Sequence, residues 1–394
     1  MPTGLKVHAA VAATAALVLA GCGSSDTGSS APSGTSGAAA DSGDSAQFDA
    51  AEFFKGKTIH VIVSANPGGG SDLFGRLVAA KMHDAIPGNP ELAVTNVSGI
   101  GGNQNVFDAK ESDLVIGVSS GASDEYTSVF DPEAHIDPTK VQIIGGTTPD
   151  PRGLALFTDA AKAYGDDFKA AANSTTPVLQ WADTVGSPED VMSDAMFAPW
   201  LCETLTLPCK MASVADADPN DLNLMIQRNE LNTQLATQIA LMRLYNKDLT
   251  DGTAKVAFGY DMANASEISP PPGVKIVDVA DILDPAQKAE YERILPIIGG
   301  GGVGKHYWAG PGMPAGAVDA MRDAYDKVMS DPALVKEVQT AMSGAKDGAN
   351  YSFTLKPVGG ADAQKIYEAS MNTFNENIDY YKDLQNKLYD KYWK

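Results

Sequence analysis

The sequence predicts an α/β fold with mixed, mostly parallel sheets, and three observations carry that expectation. Short apolar runs rich in β-branched residues alternate with stretches of helical periodicity from Ile59 onwards. Glycine-rich turns join strand to helix twice in succession, at 67–70 and 99–102. That repeated strand-then-helix order is what stacks parallel strands.

Taking the elements in order, Ile59 to Val63 reads as a buried strand, which Pro67, Gly68, Gly69 and Gly70 break. Ser71 or Asp72 can cap the helix that follows, whose apolar positions Leu73, Phe74, Leu77, Val78 and Met82 recur at helical spacing. Such a turn presents bare backbone N–H groups to an anion, and three glycines remove every Cβ from its mouth. It is neither a Walker loop, because Ser-Asp-Leu follows the glycines, nor a hydrolase elbow, because Leu73 stands where Gly-x-Ser-x-Gly needs glycine. Leu92 to Val97 is a second strand, followed by Ser98, Gly99, Ile100, Gly101 and Gly102 and a helix from near Gln104. Two such turns at adjacent strand ends make two walls of one anion site. Leu114 to Val118 is a third strand ending in Ser119 and Ser120, and Val141 to Ile144 a fourth, broken by Gly145 and Gly146.

Further on, Val178 to Ala182 reads as a strand, with Gly186 and Ser187 in its turn and Pro188 at a helix start. Asp221 to Glu230 is helical, and Leu231 to Tyr245 reads as continuing helix. Val256 to Tyr260 and Val274 to Val277 are strands. Residues 299–305, Gly-Gly-Gly-Gly-Val-Gly-Lys, have the spacing of a nucleotide loop, but His306 stands where Ser or Thr would hold magnesium. They read better as a glycine-rich crossover between two lobes, with the outgoing crossover near Thr147 to Pro151. Asp362 to Tyr392 is an amphipathic helix expected to pack on the first lobe.

The start of the chain is different in kind. Ala9 to Ala20 form the apolar centre of an export signal, too short for a membrane span. Leu19-Ala20-Gly21-Cys22 resembles a bacterial lipobox, which would make Cys22 the lipidated residue; the alternative is an ordinary cleavage site beside a chance cysteine. Residues 23–47 are Gly, Ser, Ala, Thr and Asp without an aromatic side chain, a flexible tether. Globular character begins near Phe48.

The charge is acidic, 29 basic against 50 acidic residues for a net −21, which argues against nucleic acid and against anionic membrane surfaces. Apart from Cys22, Cys202 and Cys209 remain; outside the cytoplasm they are most simply one disulfide, with two buried thiols or half a metal site as alternatives. The five histidines show no ligand spacing, and neither a metal nor a cofactor is expected.

Phe54-Lys55-Gly56-Lys57-Thr58-Ile59, Pro67 to Asp72, Ile86-Pro87-Gly88-Asn89-Pro90, the turn from Gly99 to Gly102 and Asp137-Pro138-Thr139-Lys140 occur in an order that resembles one family. It is the extracytoplasmic solute-binding protein of tripartite tricarboxylate transporters, the TctC-like or Bug family. Tyr307-Trp308-Ala309-Gly310-Pro311-Gly312-Met313-Pro314 and Ser330-Asp331-Pro332-Ala333 agree with it. The resemblance implies a two-lobed type II periplasmic-binding-protein fold, with lobe 1 from 48–156 and 303–394 and lobe 2 from 157–302. It implies a small carboxylate ligand and membrane permease subunits as partners. Carried onto this chain, the ligand contacts would be Asn66, Gly68, Gly69, Gly70, Ser71, Asp72, Ser98, Gly99, Ile100 and Gly101, with Ser119, Ser120 and Thr147 beside them and Gly186 and Ser187 from lobe 2. Asn66, Ser98 and Ile100 depart from the residues usual in the family. Asp72 either caps its helix or receives a ligand donor group. An exported hydrolase using the glycine turns as an oxyanion hole, and the binding protein of an ABC importer, are the competing readings.

Overall fold

Strand β1 (Thr58–Val63) turns Ile59, Val61 and Val63 into the core and His60 outward, the alternation its pattern of residues dictates. It is the centre of the first sheet in the computed structural model, which describes residues 48–394 apart from 132–133, 165–167, 169–176, 216–218, 264 and 346–348. The expected signal, Cys22 and tether lie outside the described residues. Around β1, strands β2 (Glu91–Asn96) and β3 (Val115–Ser119) pair in parallel. Beyond β3 the order continues through β11 (His306–Ala309), β4 (Gln142–Thr147) and β13 (Pro357–Val358), all antiparallel to their neighbours. Because β11 enters against the direction of β3 and β4, its first residue lies at their carboxyl ends, with His306 opposite both Ser119 and Gly146.

The second group of strands begins at β5 (Arg152–Phe157), which pairs with β8 (Thr233–Thr237) and β9 (Ala254–Tyr260), both antiparallel. Next to β8 lies the parallel pair β6 (Leu179–Asp183) and β7 (Cys209–Ser213). No ladder joins β6 to β8; side chains of β8 and the residue before it do. The Gln180 N–H donates to Asn232 Oδ1 at 2.8 Å, and Thr233 Oγ1 donates to the Gln180 carbonyl at 2.6 Å. A short pair, β10 (Glu267–Ser269) with β12 (Ser352–Thr354), completes the strands. The sheets are mixed as expected but not mostly parallel: among the described strands only β2–β1–β3 and β6–β7 pair in parallel, and the other pairs are antiparallel, because β11 and β5 each enter against the direction of their neighbours. Cys202, at the end of the helix Ser193–Thr204, and Cys209, at the start of β7, form a disulfide.

Five segments depart from the sequence reading. β4 is not broken at Gly145 and Gly146 but runs through them to Thr147, paired with β11 and β13, and the helix after the second glycine turn starts at Ile100, not near Gln104. Leu231 to Tyr245 is not one helix: Asn229 adopts φ +60°, ending the helix Pro219–Gln227, and β8 follows before a new helix, Gln238–Asp251. Pairing of β8 with β5 overrides the local helical periodicity. Val274 to Val277 is not a strand; one bridge, Gly259 to Asp278, is all that forms there. The long helix near the end of the chain breaks at Asn377 (φ −118°, ψ 8°) into Gly360–Glu376 and Ile378–Leu388. Its first half lies on β4 of the first sheet, where Gln364 bonds Ile143 and Val141. The second half leaves that sheet, and Tyr381 donates to the Arg293 carbonyl at 2.7 Å.

The helix Gly70–Ala85 covers β1 and β3 with Phe74, Val78 and Met82, all fully buried at intervals of four residues. Each contributes roughly 1.5–3 kcal/mol relative to an exposed side chain. A side chain at Gly75 would sit 3.3 Å from Val63, so its glycine lets the helix approach the sheet closely. Tyr307 of β11 donates to the Gly75 carbonyl from below. The N-terminus of that helix is thereby held at the carboxyl ends of β1 and β3.

Candidate ligand-binding cleft

At those carboxyl ends lies a cleft of about 430 Å³, a size suited to a small metabolite. One wall is the first glycine turn, Ala65 to Ser71, with Ser120. The other is Thr237, Ile239, Ala240 and Arg243, at the start of the helix Gln238–Asp251. Asp150 and Lys305 lie on the connections between the two groups of strands.

The first turn is shaped by Asp72. Its carboxylate accepts the Gly68 N–H at 2.9 Å, Arg76 Nε at 2.8 Å and Asn96 Nδ2 at 3.0 Å, so it faces its own loop and not the cleft. Burial works to raise its pKa, but those three donors outweigh it and hold the carboxyl below the usual range. Gly68 has φ +79°, a conformation that favours glycine, and its N–H is consumed by Asp72. The Gly69 N–H goes to the Asn66 carbonyl at 3.3 Å. Gly70 and Ser71 then open the helix, and their N–H groups have no acceptor within it. These are the donors an anion would meet, at the positive end of the helix dipole.

Lys305 faces the same point. A Cβ at Gly70 would lie 3.0 Å from Lys305 Cε and 3.6 Å from its Nζ. The Lys305 side chain is 8% exposed and its ammonium pairs with Asp150, whose side chain is 6% exposed. Lys305 sits on the return connection and Asp150 on the outgoing one, which run side by side: Gly304 N–H donates to the Thr147 carbonyl at 2.8 Å, and Thr147 N–H to the Lys305 carbonyl at 2.9 Å. Asp150 keeps one carboxylate oxygen buried without a partner. On the far wall Arg243 is exposed and forms no ion pair among the described residues. Two cations and two helix N-termini against one carboxylate make the cleft locally positive in a chain of net charge −21.

The expected site residues divide. Asn66, Gly68, Gly69, Gly70, Ser71 and Ser120 line the cleft. Ser98, Gly99 and Gly101 stand exposed beside the first turn, tied to it where Ser98 Oγ donates to Asn66 Oδ1 at 2.8 Å; Ile100 is half-buried there. Ser119 is buried, accepting from Trp308 Nε1 at 2.9 Å, and Thr147 is buried with its hydroxyl unpartnered. Gly186 and Ser187 both give their N–H groups to Asp190, each at 2.8 Å, and do not line the cleft. The second wall comes from the strand-to-helix turn after β8, which the sequence reading merged into a helix. Lys305 carried a legible signal, a lone cation after a glycine run, but was read only as part of a crossover.

Among the described residues no histidine or cysteine lines the cleft; His306 is fully buried against Glu125, 3.2 Å from its carboxylate. The open N–H groups of Gly70 and Ser71, with Lys305 and Arg243, equip the arrangement to hold an anion.

No family model matches the chain, and no curated protein matches it in sequence. Its fold is that of the two-lobed periplasmic solute-binding proteins. A ligand-free TctC solute-binding protein from Polaromonas superposes over 84% of this chain and 99% of its own, with TM-score 0.54 and 17% identity. MatC from Rhodopseudomonas palustris, with bound malate, covers 84% and 100% (TM-score 0.53, 15% identity). Another R. palustris protein, with adipate, covers 84% and 98% (TM-score 0.54, 11% identity).

Proposed function

We propose that this chain is a lipid-anchored extracytoplasmic solute-binding protein, which captures a small organic carboxylate and delivers it to permease subunits of a tripartite tricarboxylate-type transporter. The observation that carries this reading is the N-terminus of Gly70–Ala85 with Lys305 set against it. The malate and adipate held by the two R. palustris proteins of the same fold support a carboxylate as the ligand class. Binding, with no chemical step, is the mechanism: one group of strands carries the glycine turn, the other carries Thr237 to Arg243, and they close on the ligand by bending at 148–151 and 299–305. The lobes would accordingly divide at those two connections. Export and anchoring rest on the apolar run before Cys22, with the Cys22 thiol as the lipidated group.

The test is thermal unfolding of the purified chain against di- and tricarboxylates, aromatic carboxylates and amino acids. A ligand at a hundred times its dissociation constant adds about 2.7 kcal/mol, a clear rise in midpoint. A rise with one carboxylate class, lost in Gly70→Val, is expected; no rise with any carboxylate would sink the reading. Cys22→Ala should move the protein from the membrane to the soluble fraction, and an unchanged distribution would refute the anchor.

A further inference from the structure

Asp261 directly follows β9 with its backbone in the left-handed region, at φ +53°, and its N–H donates to Tyr291 Oη at 3.0 Å. That turn aims its carboxylate at the return connection. The Gly300 N–H donates to Asp261 Oδ2 at 2.7 Å, and a Cβ at Gly299 would lie 2.7 Å from the same oxygen, so the approach needs a residue without a side chain. A Cβ at Gly300 would lie 3.2 Å from Pro149 Cβ, which places the outgoing connection at the same point. Two buried carboxyls thus hold the return connection, Asp261 at its start and Asp150 at its end. Lys305 stands between Asp150 and the cleft.

The charges here do not balance once an anion arrives. Lys305 pairs with Asp150, and its ammonium lies 3.6 Å from the place of a Gly70 Cβ, at the helix N-terminus an anion would meet. A bound carboxylate and Asp150 would share that one ammonium where little water screens them. Cations are short around Asp261 as well. Arg152 of β5 acts on it but is committed to Asp194, donating from Nε at 3.0 Å and from Nη2. Asp278, bridged to Gly259, adds another negative charge. Tyr291, from the helix Pro285–Ile298, and Tyr126, from the short helix Ser123–Tyr126, also face it, and burial keeps both phenols neutral. Burial pushes the Asp261 carboxyl up to about 6, against the Gly300 N–H and Arg152 and with the charges of Asp150 and Asp278.

We infer that capture of an anion in the cleft takes up a proton from solvent, and that the proton settles on Asp261. As Lys305 turns part of its charge to the ligand, Asp150 is left less neutralised and its field on Asp261 grows. Protonation of Asp261 relieves that excess charge without any contact between Asp261 and the ligand. A neutral carboxyl also holds the Gly300 N–H less strongly than a carboxylate does. The same proton therefore loosens the return connection as the cleft fills. The inference rests on the reading of the cleft as an anion site, and it gives that site a pH dependence: affinity falls as pH rises through neutrality.

Titration calorimetry of the full chain tests it with succinate, tricarballylate and benzoate, all ionised at pH 7.4, in HEPES and in Tris, buffers of different ionisation enthalpy. For a carboxylate that binds, the two heats should differ in the sense of uptake, by about half a proton per site, and affinity should fall about threefold from pH 7 to pH 8. Asp261→Asn should bind without buffer dependence and with constant affinity across that range. Asp150→Asn, in which Lys305 meets the ligand without uncovering a charge, should cut the uptake by half or more; it decides if Asp261→Asn fails to fold. Binding without buffer dependence in the wild type overturns the proposal and leaves the carboxylate reading standing. Uptake that persists in Asp261→Asn also overturns it, because the proton then goes elsewhere, to the His306–Glu125 pair or to Asp183. Binding of none of the three acids removes the carboxylate reading, and this inference with it.

Discussion

The turns at 67–71 and 98–102 are alike as sequence, glycines between a strand and a helix, yet the fold treats them differently. In the first, Asp72 draws the loop onto itself, Lys305 presses against Gly70, and the free N–H groups line the cleft. In the second, Gly99 and Gly101 are exposed, and a Cβ at Gly101 would meet nothing within 4 Å. What separates them is the return strand β11, which inserts beside β3 and brings Lys305 to the first turn only. An anion-binding turn is thus made by what the rest of the chain places opposite it, as much as by its glycines.

Four single substitutions, one of them also combined with a second change, sharpen or break this comparison. The largest effect is expected from Lys305→Met, which leaves Asp150 buried without its cation and should cost about 3–5 kcal/mol in chemical denaturation. Adding Asp150→Asn should restore part of that stability but none of the carboxylate affinity; recovered affinity would show that Lys305 acts only on Asp150. Asp72→Ala should cost about 2–4 kcal/mol by releasing Gly68, Arg76 and Asn96 together. The Asp72 carboxyl titrates below its ordinary 3.8, so its contribution is complete above that pH and is lost as pH falls through the depressed value. The stability gap between wild type and Asp72→Ala should therefore close on the acid side of about pH 4, and a gap that stays constant there would refute the account. Gly70→Val meets Lys305 Cε and should cost about 1–3 kcal/mol, with ligand affinity down at least tenfold. Gly101→Ala should change stability by no more than about 0.5–1 kcal/mol, in the stabilising direction, and leave affinity unchanged. A tenfold loss of affinity in Gly101→Ala would mean that the second turn also meets the ligand, and the contrast between the turns would fall.

Much of this was legible in order along the chain. The strands β1 to β4, the cap-and-glycine start of Gly70–Ala85 and the pairing of Cys202 with Cys209 follow from local pattern and cysteine arithmetic. The second wall of the cleft was not legible, because Leu231 to Tyr245 keeps helical periodicity through a segment that β5 pulls into a ladder. Gly186 and Ser187 carried the right residue types for a ligand turn, but Asp190, a few residues on, satisfies their N–H groups, a bond that residue type alone does not announce.

By itself, then, the sequence determined the local elements, their alternation, and a helix N-terminus stripped of side chains, because these depend on neighbours a few residues apart. Only the tertiary structure decided which turn faces a cation, that the start of the helix Gln238–Asp251 opposes it, and that Asp261 meets the return connection at Gly299 and Gly300. Those facts join residues far apart in the chain, and they are set by strand order and close packing, to which no single stretch of sequence has access.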